Sequence, residues 1–167
     1  MSSEKLAKSK ESGAHLLLSK LEGEWEGRTT VWFEPGKVAD ESPVTAIIKP
    51  VLDGRFMLME YKGMFQGQPL SGIFIYGHQL TEGKFQSAWI DSFHMGTGIM
   101  LSQGDKGNTE SIKVFGTYGA AEGQEPWGWR TELELSKTNS LVMTAYNISP
   151  DGSLEAKAVE SIFTKKQ

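Results

Sequence analysis

The segment 91–98, DSFHMGTG, brings together residue types that can carry out acid–base chemistry. A carboxylate, a hydroxyl and an imidazole fall within four residues, at Asp91, Ser92 and His94. Close sequence neighbours rarely line up in space as nucleophile, base and orienting acid. Short polar side chains next to glycines also bond their own backbone in turns. The segment therefore has three interpretations: a structural turn, which we favour, a ligand contact at a cavity mouth, or a catalytic site.

Two glutamates are candidates for a carboxylate inside the protein. Glu60 shares a strand face with Phe56 and Leu58, and Glu160 shares one with Ala158 and Ile162. A carboxylate buried among such neighbours must be paired, neutral or functional, because burying an isolated charge costs several kcal/mol. Such a glutamate would bind a ligand donor or act as an acid or base. The alternatives are that the glutamate lies on the opposite face of its strand, or that its strand end is solvated.

The histidines do not form a metal-binding pattern. They stand at positions 15, 78 and 94, with none of the short spacings that zinc sites use. Cysteine is absent from the 167 residues, which excludes disulfides, thiolate metal sites and a cysteine nucleophile. We therefore expect no metal site.

Composition and charge exclude several classes of function. The net charge of −4 argues against a nucleic-acid partner, which usually requires a basic face. The polar N-terminus has no apolar core of a signal peptide, and no apolar run approaches the ~18 residues of a membrane span. We expect a cytoplasmic protein without a membrane partner.

Turn signals divide the chain into one helix and ten strands. Residues 1–13 are polar and predict a flexible tail, and residues 14–21 predict a short helix with Ser12 as its N-cap, within a single domain over 14–167. Up-and-down strands in this number favour closure into a barrel, since closure removes the sheet edges. The predicted strands are 24–33, 43–52, 55–65, 68–78, 84–91, 95–102, 109–118, 127–136, 140–148 and 153–164.

Alternating residues indicate which strand faces point inward. In the strand 127–136, Trp129, Thr131 and Leu133 fall on the apolar side. The strands 55–65 and 140–148 are apolar on both faces. The outer surface of a simple barrel contacts solvent, so strands that are apolar on both faces indicate that part of this surface is covered. We expect a second subunit to cover it, as in a homodimer.

The chain resembles the calycin barrels in its opening motif. LEGEWEG, at 21–27, is similar to the G-x-W-x-G opening of lipocalins, fatty-acid-binding proteins and nitrobindins. In that pattern the tryptophan plugs the closed end of the barrel, and the glycines let the backbone bend. The segments 32–44, 49–63 and 85–98 also resemble a bacterial family of unknown function. The resemblance covers about residue 15 to the C-terminus and implies an all-β, calycin-like antiparallel barrel with one short helix closing an end.

The resemblance to nitrobindin implies haem as a cofactor, and the residues argue against it. Nitrobindins hold the haem iron with a histidine late in the chain, whereas no histidine here follows His94. His94 or a methionine could serve only with a different geometry. Haem is therefore a disfavoured alternative, and we expect no cofactor.

The leading hypothesis for function is a non-enzymatic carrier or sensor of a small hydrophobic ligand held in the barrel. An enzyme that uses Asp91, His94 or a glutamate, and a packed barrel with an oligomeric role, remain alternatives. The carrier hypothesis predicts an apolar cavity of a few hundred Å³. The expected ligand-binding residues are Trp25, Glu60, Trp89, Asp91, His94 and Trp129.

Overall fold

Ten strands close into one antiparallel barrel, which confirms the predicted fold class. The computed structural model describes residues 3–119, 122–136 and 139–167. Each strand pairs with its neighbours in sequence, and β10 closes the barrel against β1. The elements are α1 (Ser3–Ser12), α2 (Ala14–Ser19), β1 (Gly23–Glu34), β2 (Lys37–Val51), β3 (Phe56–Phe65), β4 (Gln68–Gln79), β5 (Lys84–Asp91), β6 (Met100–Gln103), β7 (Ile112–Tyr118), β8 (Trp127–Leu135), β9 (Ser140–Ile148) and β10 (Glu155–Lys165).

Helix α2 and the tryptophan of the opening motif close one end of the barrel. Leu18 and Leu21 are fully buried beside Trp25, which is 1% exposed. The Trp25 indole N–H donates to the carbonyl of Leu21 at 2.9 Å, so the ring is both packed and hydrogen-bonded. Trp25 is therefore the plug that the motif predicts, and we call this end the closed end.

The second glycine of the opening motif allows β1 and β10 to approach closely. A Cβ atom at Gly27 would stand 1.9 Å from the carbonyl oxygen of Ile162 on β10. Any side chain would have to push the two paired strands apart. The glycine is thus required by the closure of the barrel between its first and last strands.

The expectation of a flexible tail over 1–13 is wrong for the residues that form α1. Ser9 of this helix is buried, and its hydroxyl bonds the Nδ1 of His15 at 2.8 Å. Lys10 forms an ion pair with Asp53 in the β2–β3 connection, with 3.1 Å between nitrogen and oxygen. These contacts, which polar composition does not reveal, hold α1 against the closed end. Ser12 ends α1, and Gly13 is the N-cap of α2.

A β-bulge in β10 overturns the predicted face of that strand. Lys157 pairs with Tyr146 and Val159 with Ala145, so Ala158 is an extra residue that the partner strand does not match. The bulge reverses the alternation after it. Glu160 and Ile162 therefore face outward, with Ile162 52% exposed, while Ser161 is buried. The carboxylate of Glu160 pairs with Lys157 at 2.6 Å and is not a buried acid.

Strand β6 is shorter than predicted and forms the least regular seam of the barrel. The sequence predicts a strand over 95–102, but β6 begins at Met100. Residue Gly96 has a positive φ of 58°, and the residues before β6 form a loop. Within the described residues, β6 and β7 share the single register pair Gln103–Phe115.

Candidate functional site

The loop between β5 and β6 is built around the carboxylate of Asp91 at the end opposite the helices. One carboxylate oxygen accepts the backbone N–H groups of Phe93 at 3.3 Å and Met95 at 2.7 Å. The other contacts Nδ1 of His94 at 2.6 Å. The side chain of Asp91 is completely buried. The aspartate thus forms the structural turn that the sequence suggested, and the same side chain also orients an imidazole.

The electrostatics of this pair determine which histidine nitrogen remains available. Burial raises the pKa of the Asp91 carboxyl, but the hydrogen bonds from His94 and from the Met95 N–H lower it more, so the pKa lies below its ordinary value. An ionised carboxylate only accepts hydrogen bonds, so Nδ1 of His94 carries a proton and donates it. Nε2 has no hydrogen-bond partner among the described residues, and in the neutral ring it is an acceptor.

Ser92 does not join the acid and the imidazole as a nucleophile. Its hydroxyl accepts the N–H of Ser71 at 3.0 Å, and its own N–H donates to the Ser71 carbonyl at 2.8 Å. Ser92 lies on the outer side of the wall, whereas His94 lies at the cavity inside the barrel. The residues of DSFH therefore do not form a catalytic triad.

Aromatic rings hold the imidazole in place inside the barrel. The ring centroid of His94 is 5.6 Å from Trp89 and 5.9 Å from Trp129. The two indoles are nearly parallel, with centroids 5.6 Å apart, and Phe74 also stacks with Trp89, with centroids 5.2 Å apart. Phe74, Trp89 and Trp129 lie on β4, β5 and β8. Side chains alternate between the two faces of each strand, and these three point into the barrel.

Tyr61 contributes a second polar group to the same region. Its hydroxyl accepts the indole N–H of Trp89 at 3.0 Å. Burial raises the pKa of the Tyr61 phenol, and the nearby Asp91 carboxylate raises it further, so the hydroxyl keeps its proton. Gly72 makes room for it, since a Cβ atom there would lie 2.2 Å from the Tyr61 oxygen.

The cavity beside His94 is small and apolar. The room for the centres of water molecules is about 50 Å³, and the non-atom space, counted with the open mouth, is about 650 Å³. One water needs roughly 10–15 Å³ of room for its centre, so about four waters fit. Side chains thus fill most of the barrel, and the closed space is smaller than the expected few hundred Å³. The residues around it include Val31, Phe74, Trp89, Trp129, Met143 and Phe163, with the hydroxyls of Thr29, Thr131 and Ser161.

The cavity continues into a second space, which we call the vestibule. This groove of about 270 Å³ shares the four residues Val31, His94, Trp129 and Val159 with the cavity. Polar groups stand around it: Tyr118 donates to the side-chain oxygen of Asn147 at 2.5 Å, and Lys157 is nearby. The imidazole therefore stands between an apolar interior and a more polar entrance.

Comparison with known protein families places the chain. Residues 10–165 match the family described as a protein of unknown function, DUF1579. The match covers nearly the whole chain. The chain belongs to the DUF1579 family. A search of curated proteins finds no match to it.

The site of this DUF1579 chain contains four of the six residues predicted from the sequence. Trp89, Asp91, His94 and Trp129 come together around the cavity and its mouth. Trp25 does not, because it plugs the closed end. Glu60 does not either: its side chain is 48% exposed on the outer wall, where it pairs with Lys49 at 3.3 Å.

Sequence reasoning missed Tyr61, although a signal for it was available. Met57, Met59 and Tyr61 alternate along β3 and are all buried, so the inward face of this strand is the one without Glu60. Both faces of the strand are apolar, and composition alone did not separate them. The pairing of Glu60 with a lysine on β2 shows which face meets water.

Two features, a cluster of metal-binding side chains and a membrane-crossing helix, are absent from the described residues of the DUF1579 chain. The described residues include no group of three or more His, Asp or Glu side chains that could hold a metal ion. In the same part of the chain, no helix is long and apolar enough to cross a membrane.

Proposed function

We propose that the barrel binds a small, ring-sized apolar molecule that donates one hydrogen bond to His94. The observation that carries the proposal is an apolar cavity whose mouth holds one imidazole, oriented by Asp91 at 2.6 Å, with no hydrogen bond from the described residues to its second nitrogen. Ligand sites commonly combine apolar walls with a few placed polar groups. The calycin-like character of the barrel is part of the proposal, and the plug formed by Trp25 of the opening motif supports it.

The size of the cavity limits the ligand to about one ring. The enclosed space of about 50 Å³ is about a third of the ~150 Å³ apolar cavity known to admit benzene, so a ring fits only if part of it lies in the open mouth. A longer molecule would extend past His94 into the vestibule, where Tyr118 and Lys157 meet solvent. The ligand is thus a single ring, or a ring with a tail that leaves through the mouth.

The charge at the site selects a neutral donor over an anion. Asp91 is ionised, buried and next to His94, and its field opposes a second negative charge at short range. Nε2 accepts a hydrogen bond and cannot donate one while the ring is neutral. An alcohol, phenol or ring N–H satisfies both conditions, whereas a carboxylate satisfies neither.

Calorimetric titration with three matched probes tests the proposal. Phenol carries the ring and the donor, toluene carries the ring alone, and benzoate carries the ring and a negative charge. We expect phenol to bind about fivefold more tightly than toluene, since one hydrogen bond contributes about 1 kcal/mol, and benzoate to bind least.

Two variants separate the site from the rest of the barrel. His94→Phe keeps a ring and removes the acceptor, so the preference for phenol over toluene should disappear. Glu60→Gln changes an exposed residue of the outer wall and should leave all three affinities unchanged. The proposal is wrong if the wild-type protein binds none of the probes, which would favour the packed barrel with a structural role, or if His94→Phe keeps the preference.

Acid–base catalysis is the second candidate function, and the short Asp91–His94 contact favours it. A carboxylate that fixes the imidazole tautomer and leaves Nε2 free is the arrangement of a general base. Hydrolysis of an activated ester such as p-nitrophenyl acetate is a suitable assay. Saturable turnover lost in His94→Phe would support this function, and turnover equal in the two proteins would remove it.

Haem does not fit the site. A porphyrin is far larger than a space for about four waters. One nitrogen of His94 is already bonded to Asp91, and the other two histidines, His15 and His78, lie buried at the closed end.

A cytoplasmic location remains a prediction from the sequence.

A further inference from the structure

The outer wall of β3–β6 carries an exposed apolar surface. Outward positions of paired strands lie side by side, so Leu58 of β3 neighbours Ile75 of β4, and Ile73 neighbours Ile90 of β5. Ala88 of β5 links Ile75 to Leu101 of β6. We call this surface the outer apolar face; it consists of Leu58, Ile73, Ile75, Ile90, Ile99 and Leu101.

The outer apolar face includes two strongly exposed side chains. Leu101 is 73% exposed and Ile99 is 66% exposed. Polar residues frame the face on both sides, with Ser71 and Lys62 toward the open end and Gln103 toward the closed end. An apolar centre inside a polar frame is the usual composition of a protein–protein interface.

A groove and a ridge lie on this same face. The loop before β6 overhangs the wall and leaves a groove of about 550 Å³, whose floor includes Ile73 and Ile90. Beside the groove, Leu101 projects from β6. Contact between two identical surfaces requires that one patch contain both the projecting part and its receptor. The outer apolar face meets this requirement.

Charge and area are also compatible with a second copy of the chain. Lys49 and Glu60 at the edge of the face neutralise each other at 3.3 Å, so two such faces would meet without strong repulsion. Strands lie ~4.8 Å apart and rise ~3.3 Å per residue, so the four strands β3–β6, with about nine residues each, cover roughly 550 Å². A standard interface buries about 800 Å² per partner.

We propose that the outer apolar face is the contact surface of a homodimer related by a two-fold axis. The ridge at Leu101 of each copy packs toward the groove of the other. The groove also contacts Asp91 and Tyr61 from behind, so the partner covers the back of the wall that holds His94. This inference does not depend on the proposed ligand.

Light scattering during size-exclusion chromatography of the full chain tests the dimer. We expect a mass twice the 18.4 kDa of the chain. Leu101→Glu and, as a second variant, Ile75→Glu should each raise the dimer dissociation constant at least tenfold, because each places two charges in the contact. Ile162→Glu is the matched control, since Ile162 is 52% exposed on β10, away from the face, and should leave the mass unchanged.

Spin labelling gives a second measurement that does not rely on disrupting the protein. The chain has no cysteine, so Leu101→Cys and Ile162→Cys each create one labelling site. A nitroxide at position 101 should lose mobility as the protein concentration rises, while one at position 162 should not. A wild-type monomer at every concentration up to about 100 μM, or a dimer that neither charged variant at the face weakens, would overturn the proposal.

Discussion

Asp91 serves two structural roles with one carboxylate. It closes the β5–β6 turn through the N–H groups of Phe93 and Met95, and it fixes the tautomer and direction of His94. Because the side chain is fully buried, no water competes for these contacts. The turn and the site therefore depend on the same ionised group.

Replacing Asp91 with Asn should destabilise the protein in a pH-dependent way. At pH 7 we expect a loss of about 1–3 kcal/mol, the usual cost of breaking charge-assisted hydrogen bonds. The pKa of Asp91 is lowered from its ordinary value of 3.8, so its contribution is present above that value and disappears as the pH falls through the folded-state pKa. Urea unfolding at pH 7 and below pH 4 measures the difference, which should shrink in acid.

The bulge in β10 shows the limit of alternation as a guide to strand faces. Alternation correctly predicted the inward side of β8, where Trp129, Thr131 and Leu133 are buried. It failed on β10 because one extra residue, Ala158, reverses the pattern, and nothing in the local composition marks it. It failed on β3 because both faces are apolar, so Glu60 was placed on the wrong side.

Lysine substitutions on the two opposite faces of β10, after the bulge, test the observed face of this strand. Ile162→Lys should change the free energy of unfolding by less than about 0.5 kcal/mol, because the side chain is already exposed. Ser161→Lys should cost more than about 3 kcal/mol, since the residue is 2% exposed and its hydroxyl bonds Thr29 at 2.7 Å. Thermal or urea unfolding measures both, and the reverse order would contradict the bulge.

At the scale of the molecule, the sequence predicts the closed ten-stranded barrel and the helix α2 that closes one end. It does not predict the helix α1 or the volume of the cavity. Turn residues recur between short apolar segments, so the number and order of the strands follow from local signals. The docking of α1 depends on Ser9 and Lys10 meeting residues distant in sequence. The cavity volume depends on how large side chains such as Trp89 and Met143 pack, which alternation does not encode.

The stability of the whole molecule should fall in two separate pH ranges. Burial lowers the pKa of both His15 and His78 from the ordinary 6.5. Electrostatic repulsion from His78, Lys10 and Arg55 lowers the pKa of His15 further. A histidine whose folded-state pKa is lowered stabilises fully above pH 6.5 and less below it. Asp91 adds a second loss below pH 4.

Urea unfolding between pH 8 and pH 3 measures both losses. His78→Gln should flatten the curve between pH 6.5 and 5 and leave the loss below pH 4, which belongs to Asp91, in place. A wild-type stability that rises as the pH falls from 7 to 5 would contradict the assignment of the buried histidines.

The single register pair between β6 and β7 means that the cylinder is not equally strong around its circumference. Closed sheets resist opening because every strand is held on both sides, yet here one junction has little regular pairing. Thermal fluctuations concentrate where the local free energy of opening is lowest. We therefore expect the wall to open transiently between β6 and β7, beside Trp89 and Met100. A ligand would then have a second route into the interior, in addition to the mouth at His94.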